Sequence, residues 1–207
     1  MDTLHWQSGE VLSEEFTIRP ARRGDAADMV VLDDIAGSGL PSFLWRKAVE
    51  SGHNDNAMSL ARDLMMSRNA PNGWLNCRIA QIGDDVAGLA TSYPLSQVSA
   101  EETRIAPLAP VLSLMRMASG TWYLDALAVY PEQRRRHIGS RLLENVFERA
   151  KREGEMTEVS LVLRSDNVAG AKFYERFGFA QVIRKPFIGW EGSRAVGVEY
   201  LLMSAPI

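Results

Sequence analysis

Apolar residues in the second half of the chain recur with clear strand and helix periods. Residues 121–130 (TWYLDALAVY) are almost wholly apolar, as expected for a strand covered on both faces. Between 138 and 152 apolar residues return about every four positions, which predicts an amphipathic helix. Residues 159–163 predict a second buried strand, and residues 168–177 a short helix that stops at Gly178. This order of elements predicts a right-handed parallel crossover.

The first half predicts shorter elements. A helix that begins near Asp25 and continues through Ala36 is expected to carry Met29, Val30 and Ile35 inward. The other predictions here are a strand over 16–19, helices near 42–50 and 55–68, strands over 77–82 and 86–93 joined by a hairpin loop, and a short helix with Leu108, Val111, Leu112 and Met115 on one face. The tail from 187 to 203 is expected to add one or two edge strands. Residues 1–15 form a polar lead-in, and residues 16–207 form a single domain.

Composition excludes several functional classes. A length of 207 residues with 46% hydrophobic content suits one globular domain, and a net charge of −3 argues against a general nucleic-acid binder. The N-terminus has no signal-peptide pattern, and no apolar run approaches the ~18 residues of a membrane span. One cysteine excludes a disulfide framework, and three scattered histidines give no metal-ligand spacing. We therefore expect a cytoplasmic protein that binds neither a metal, nor a membrane, nor nucleic acid.

The segment 127–143 carries the candidate chemistry. A buried strand ends, Pro131 prevents its continuation, and a short polar loop leads into the 138–152 helix. Backbone N–H groups at a helix start lack intrahelical partners and lie at the positive end of the helix dipole, which suits a phosphate. Gly139 allows close approach of a ligand, and Arg134–Arg136 add positive charge. The alternative is a solvated arginine loop with a packing glycine, but its place after a buried strand favours a ligand site.

This segment resembles the phosphate-binding motif of the GNAT superfamily of N-acetyltransferases, in which Arg or Gln is followed by two residues, Gly, any residue, and Gly or Ala. Here it reads Arg134-Arg135-Arg136-His137-Ile138-Gly139, with His137 where the first glycine usually stands. A second matching segment follows about 30 residues later, as one crossover requires. It contains Asn167, Tyr174 and Gly178-Phe179.

The resemblance implies an α/β GNAT fold, with a mixed central sheet of about six to seven strands, flanking helices and an acyl-CoA cleft at the parallel crossover. It also implies acetyl-CoA as cofactor and an amine of a small molecule or a peptide as acceptor. The implied cofactor-binding residues are Leu127, Ala128, Val129, Arg134, Arg135, Arg136, His137, Ile138, Gly139, Ser140, Asn167 and Tyr174. The Leu127 backbone N–H is expected to face the thioester oxygen, and Tyr174 to protonate the leaving thiolate.

The general base is sought on the strand that precedes the motif. Strict alternation places Tyr123, Asp125, Leu127 and Val129 on one face of that strand. Asp125 is the only charge in an apolar run, and apolar surroundings raise the pKa of a carboxylate, as a base requires. Some relatives place the base at positions that match Tyr123 or Asp125. The alternative is that Asp125 pairs with an arginine or caps a loop.

Other questions stay open at this level. Cys77 is expected to be a small buried thiol, so we expect direct transfer in a ternary complex without an acylated enzyme. The aromatic residues that are candidates to line the pocket for the acceptor are Phe43, Trp45, Trp74, Tyr93, Phe187 and Trp190. The competing interpretations are a non-catalytic acyl-CoA-binding or sensory module and an arginine patch for nucleic acid, and the chain is a possible homodimer.

Overall fold

A computed structural model describes residues 15–96, 98, 103–153, 155–193 and 196–207. Nearly all of the expected lead-in at 1–15 therefore lies outside the described residues. The strands are β1 Phe16–Pro20, β2 Cys77–Ile82, β3 Asp85–Pro94, β4 Trp122–Val129, β5 Glu158–Arg164, β6 Ala180–Pro186 and β7 Glu199–Pro206. The helices are α1 Ala26–Ala36, α2 Leu40–Glu50, α3 Ala57–Met66, α4 Ala109–Met117, α5 Ile138–Glu153 and α6 Val168–Glu175.

The seven strands form one mixed sheet in the order β1-β2-β3-β4-β5-β7-β6. Only β4 and β5 pair in parallel, which confirms the expected mixed sheet and its parallel crossover through α5. The prediction for the tail was wrong in two respects. The tail strand β7 is an inner strand between β5 and β6, because its buried residues complete the core, while the edge strand β6 begins at Ala180, before the expected start.

Each face of the sheet is covered by helices. On one face α5 buries Ile138, Leu142, Leu143, Val146 and Ala150 against residues of the central strands. On the other face α1 and α3 pack over β2, β3 and the end of β4, and α4 packs over β5 and β7. The spacing of the α5 residues on one helical face explains why this helix was predictable from sequence.

A β-bulge interrupts the regular pairing of β3 with β4. Thr91 is opposite Ala126, but the next residue, Ser92, is opposite Leu124, so that Asp125 is the extra residue on β4. The predicted alternation was therefore wrong beyond this point: Leu127 packs with the α5 face, whereas Tyr123 lies on the opposite face. A bulge bends its strand, and the pairing of β4 with β5 is confined to residues 122–123 and 159–160. Beyond them the two parallel strands separate.

Candidate active site

A cleft opens where β4 and β5 separate, and the start of α5 forms one wall. The His137 carbonyl accepts the first helical hydrogen bond, from the Arg141 N–H at 3.1 Å. The N–H groups of the first helical residues, 138–140, consequently have no intrahelical partner. The cleft has a volume of about 890 Å³, and both Gly139 and Ser140 line it. A positive helix end at an open cleft is a site for an anion such as a phosphate.

The loop before α5 has an unusual backbone. Arg135 and His137 have φ values of 65° and 62°, in the left-handed region that non-glycine residues rarely adopt. The backbone at His137 thus has the sign of φ that glycine favours, although the motif glycine is replaced. The substitution therefore keeps a left-handed turn at this position.

The arginines of the motif border two adjoining spaces. Arg134 and Arg135 line the cleft, and the Arg134 Nε donates to the Val129 carbonyl at 3.2 Å. Arg136 lines a neighbouring cavity and donates to the Gln133 side chain at 2.6 Å. Arg135 lines this neighbouring cavity as well, so that the positive charge of the motif continues from one space into the next.

Gly139 provides a test of whether the cleft suits a bulky ligand. A Cβ at this position would stand 3.8–3.9 Å from atoms of Phe173, Leu127 and Val129. A methyl group would therefore fill the space between the α5 start and the opposite wall without a clash. The absence of a side chain leaves room for a ligand beside the helix N-terminus.

Tyr174 and Asn167 line the far side of the same cleft. Tyr174 is 8% exposed, and its ring packs against Phe173 and Phe179 at centroid distances of 5.2 and 5.5 Å. Burial raises the pKa of the Tyr174 phenol above its usual value, so that the hydroxyl keeps its proton at neutral pH. The Asn167 side chain caps α6 by accepting from the Gly170 N–H at 2.9 Å.

Asp125 faces a second cavity of about 250 Å³, which adjoins the cleft through Ala36 and Asn167. The expectation of a buried carboxylate needs correction, because the Asp125 side chain is exposed to this cavity. Protein atoms nevertheless surround it, and desolvation raises its pKa to about 6, partly offset by a hydrogen bond from the Tyr93 hydroxyl. No arginine forms an ion pair with Asp125 among the described residues, which removes the main structural alternative.

Sequence reasoning missed Asp33, which lies on α1 and lines the same cavity as Asp125. Desolvation, together with the negative charges of Asp125 and Asp34, raises the Asp33 pKa to about 8. A polar residue on a helix predicted to pack inward was the available signal. Its neighbour Asp34 has an ordinary structural role, because it accepts from the Ser42 N–H at 2.9 Å.

The candidate aromatic residues have different positions. Trp45 and Tyr123 line the second cavity, and Trp190 lines an open groove of about 650 Å³ that adjoins this cavity through Ser38 and Arg164. The remaining candidates line none of these three spaces: Phe43, Trp74, Tyr93 and Phe187. They pack against other aromatic or apolar residues.

Cys77 is fully buried beneath α1 and α3. Desolvation raises the pKa of its thiol to about 12, so that a thiolate does not form at neutral pH. Its burial agrees with the expectation of a structural thiol. Within the part of the chain that the structure describes, no group of His, Cys, Asp and Glu side chains could hold a metal, and no helix is long and apolar enough to cross a membrane.

The fold and the cleft define the chain as an acyltransferase. A family model described as "Acetyltransferase (GNAT) family" matches residues 56–179, more than half of the chain. The chain therefore belongs to the GNAT acetyltransferase family. A search of curated protein sequences gave no match.

Solved structures share this fold at low sequence identity. An acetyltransferase crystal structure is 20% identical, covers 92% of this chain and 98% of its own, and has a TM-score of 0.61. An N-acetyltransferase from Staphylococcus aureus Mu50 is 15% identical, with 91% and 100% coverage and a TM-score of 0.60. A ribosomal-protein-alanine N-acetyltransferase from Brucella melitensis is 18% identical, with 92% and 99% coverage and a TM-score of 0.59. At these identities the likeness concerns the fold alone.

Proposed function

We propose that the chain is an acetyl-CoA-dependent N-acetyltransferase that transfers the acetyl group directly to a primary amine. One observation carries this proposal: a cleft at the start of α5 adjoins, through Ala36 and Asn167, a cavity that contains Asp125. The cleft suits a large phosphorylated cofactor, and the cavity suits its reaction partner. When bound, acetyl-CoA supplies an acetyl group activated as a thioester.

The residues that hold the cofactor are those at the β4 end and the α5 start. Backbone N–H groups of Ile138, Gly139 and Ser140 bind a phosphate, and Arg134 and Arg135 balance its charge. Leu127 to Val129 of β4 line the cleft and would hold the pantetheine arm. On this strand the Leu127 N–H acts as a fixed donor to the thioester oxygen, a contribution of roughly 3 kcal/mol to lowering the barrier in comparable sites.

Two side chains move protons on opposite sides of the reacting carbon. Asp125 accepts a proton from the acceptor amine, for which its raised pKa of about 6 is suited at neutral pH. Tyr174 lines the cleft and holds its proton at neutral pH, and its position suits donation of this proton to the leaving sulfur. Tyr123, fully enclosed beside Asp125, orders the cavity wall.

Direct transfer follows from the position of Cys77. Its buried, protonated thiol lines neither the cleft nor the adjoining cavity. A covalent acyl-enzyme on this thiol would require the opening of the core. Incubation with radiolabelled acetyl-CoA alone is therefore expected to leave the protein unlabelled, and a stable label on Cys77 would contradict direct transfer.

The test of the proposed function is thiol release from acetyl-CoA with a panel of primary amines. We expect Tyr174→Phe to lower kcat about a hundredfold with little change in coenzyme A affinity. Tyr130→Phe is the matched control, because its hydroxyl donates to Asp28 at 2.7 Å and does not line the cleft. Coenzyme A binding without thiol release for any amine would instead identify a non-catalytic acyl-CoA-binding module.

A further inference from the structure

The cavity beside the cofactor cleft contains two carboxylates without a counter-charge. Asp33 projects from α1 and Asp125 from the bulge of β4, and both line this space. Among the described residues neither carboxylate forms an ion pair with a lysine, an arginine or a histidine. Surrounding protein atoms raise the pKa of both carboxyl groups, so that an unpaired negative charge is disfavoured there. The missing partner is therefore expected to be a ligand.

The remaining walls of the cavity are mostly apolar. Leu40, Leu44, Trp45, Val111, Met115 and Val162 are among the apolar side chains, and the polar ones include Ser38, Asn72 and Asn167. At about 250 Å³ the cavity lies just below the range of roughly 300–1,000 Å³ for sites that enclose drug-sized ligands. It therefore suits a compact ligand with an apolar body rather than a sugar or a chain that carries several charges.

The charge of the two carboxylates matches a single cation. The negative charge of Asp125 raises the pKa of Asp33, so that near neutral pH the pair retains one proton and carries about one negative charge. Of the cationic side chains in the described part of the chain, Arg164 alone lines the cavity, and it is already bound through two nitrogen atoms to Asp166 at 2.6 and 3.0 Å. A second cationic group on the ligand would approach Arg164, whose partner carboxylate, Asp166, is already paired.

We propose that the acceptor is a compact primary monoamine with an apolar body, which enters as its ammonium ion and binds between Asp33 and Asp125. This inference rests on the proposed acetyl transfer and gives Asp33 the role of binding the acceptor. The ammonium loses one proton to a carboxylate oxygen of Asp125, and its freed lone pair forms the new bond to the acetyl carbon. The sulfur takes its proton from Tyr174, and the second proton lost from nitrogen as the amide forms passes to the Tyr174 oxygen through solvent. Asp125 then releases its proton to solvent.

The first experiment measures binding rather than turnover. Phenethylammonium and its neutral isostere 2-phenylethanol are titrated calorimetrically into the protein, with and without coenzyme A. We expect the ammonium to bind at least tenfold more tightly than the alcohol. Asp33→Asn should remove most of this difference, because an ammonium held between the two carboxylates draws the retained proton off Asp33 in the unmodified protein. Asp63→Asn, an exposed carboxylate on α3 outside the cavity, is the matched control and should bind as the unmodified protein does.

The second experiment measures thiol release with the same variants. Asp33→Asn is expected to raise KM for phenethylamine about tenfold or more while kcat changes less than threefold, whereas Asp125→Asn lowers mainly kcat. Equal binding of the ammonium by the unmodified protein and Asp33→Asn would overturn the inference. Turnover of a polyamine or a lysine peptide in preference to phenethylamine would overturn it as well. The absence of coenzyme A binding by the folded protein would instead refute the proposed function, while ammonium binding would still report on the cavity.

Discussion

Asp33 should make the folded protein less stable as the pH rises. Its pKa is about 8 in the folded protein, compared with 3.8 for an ordinary aspartate, because protein atoms and the charge of Asp125 disfavour ionisation. The folded state therefore binds this proton more tightly than the unfolded state. Between these two pKa values the unfolded state binds fewer protons, so that the free energy of unfolding falls with increasing pH. Replacement by asparagine removes this cost.

The size of the effect follows from the two pKa values. A rise from 3.8 to about 8 gives an upper limit of roughly 6 kcal/mol, at about 1.36 kcal/mol for each pH unit. Asp33 is only partly buried and faces a cavity open to water, which reduces this value. We expect Asp33→Asn to be more stable than the unmodified protein by about 2 kcal/mol above pH ~8, with the difference vanishing near pH ~4.

Urea unfolding followed by tryptophan fluorescence, at several pH values from about 4.5 to 9, provides the measurement. Asp125→Asn should give a smaller gain that is complete near pH ~6, in keeping with the lower pKa of Asp125. Asp63→Asn controls for the loss of one negative charge from the chain. A stability difference for Asp33→Asn that does not change with pH would refute the reasoning, because it would show that Asp33 is ionised in the folded protein throughout this range.

Three further substitutions test the cleft and its support. Gly139→Ala should stabilise α5 by about 0.5 kcal/mol yet weaken coenzyme A binding about tenfold, since its methyl group would fill the cleft; urea unfolding and calorimetry should change in opposite directions. His137→Gly should stabilise the fold by roughly 0.5–1 kcal/mol, because relief of the strain at a φ of 62° outweighs the greater chain entropy of the unfolded state. A loss of stability of the same size would contradict this prediction. Arg149→Met should lower the free energy of unfolding by about 2–4 kcal/mol. The buried Arg149 guanidinium donates to the Ser92 carbonyl and hydroxyl at 3.2 Å and stacks on Trp122. An unchanged urea midpoint would contradict this prediction.

Helices and strands with a strong apolar period were predictable from sequence. β2 was predicted with the bounds Cys77–Ile82 that the structure has, and α5 with its first residue, Ile138. Each has apolar residues at the period of its element and ends at a clear turn or loop. The edge strand β6 was missed because its side chains are mostly exposed and its sequence, AQVIRKP, has no buried face that would leave a period.

The acceptor cavity was less predictable than the cofactor cleft. One wall of the cleft is a continuous segment, from Leu127 to Ser140, and its motif could be identified there directly. The cavity brings together residues from α1, α2, α4, β4, β5 and β7, whose contacts depend on the packing of the whole domain. Nothing in the sequence distinguishes Asp33 from its neighbour Asp34. Its place in the same cavity as Asp125 depends on the packing of α1 against β4. The bulge depends on how β4 pairs with β3, which the sequence of either strand alone does not specify.

Strained backbone in this protein is concentrated around the proposed site. Across the described residues, Ser38, Arg135 and His137 are the non-glycine residues with left-handed φ values, and each lines the cleft or the acceptor cavity. Such conformations cost roughly 1–3 kcal/mol each and persist only where the surrounding structure enforces them. The bulge at Asp125 and the unpaired Asp33 add further costs in the same region. The core elsewhere is regular and well buried, so the irregular features are most simply explained by the shape and charge that two ligands require. This explanation predicts that a substitution which removes such a feature will stabilise the fold and weaken ligand binding.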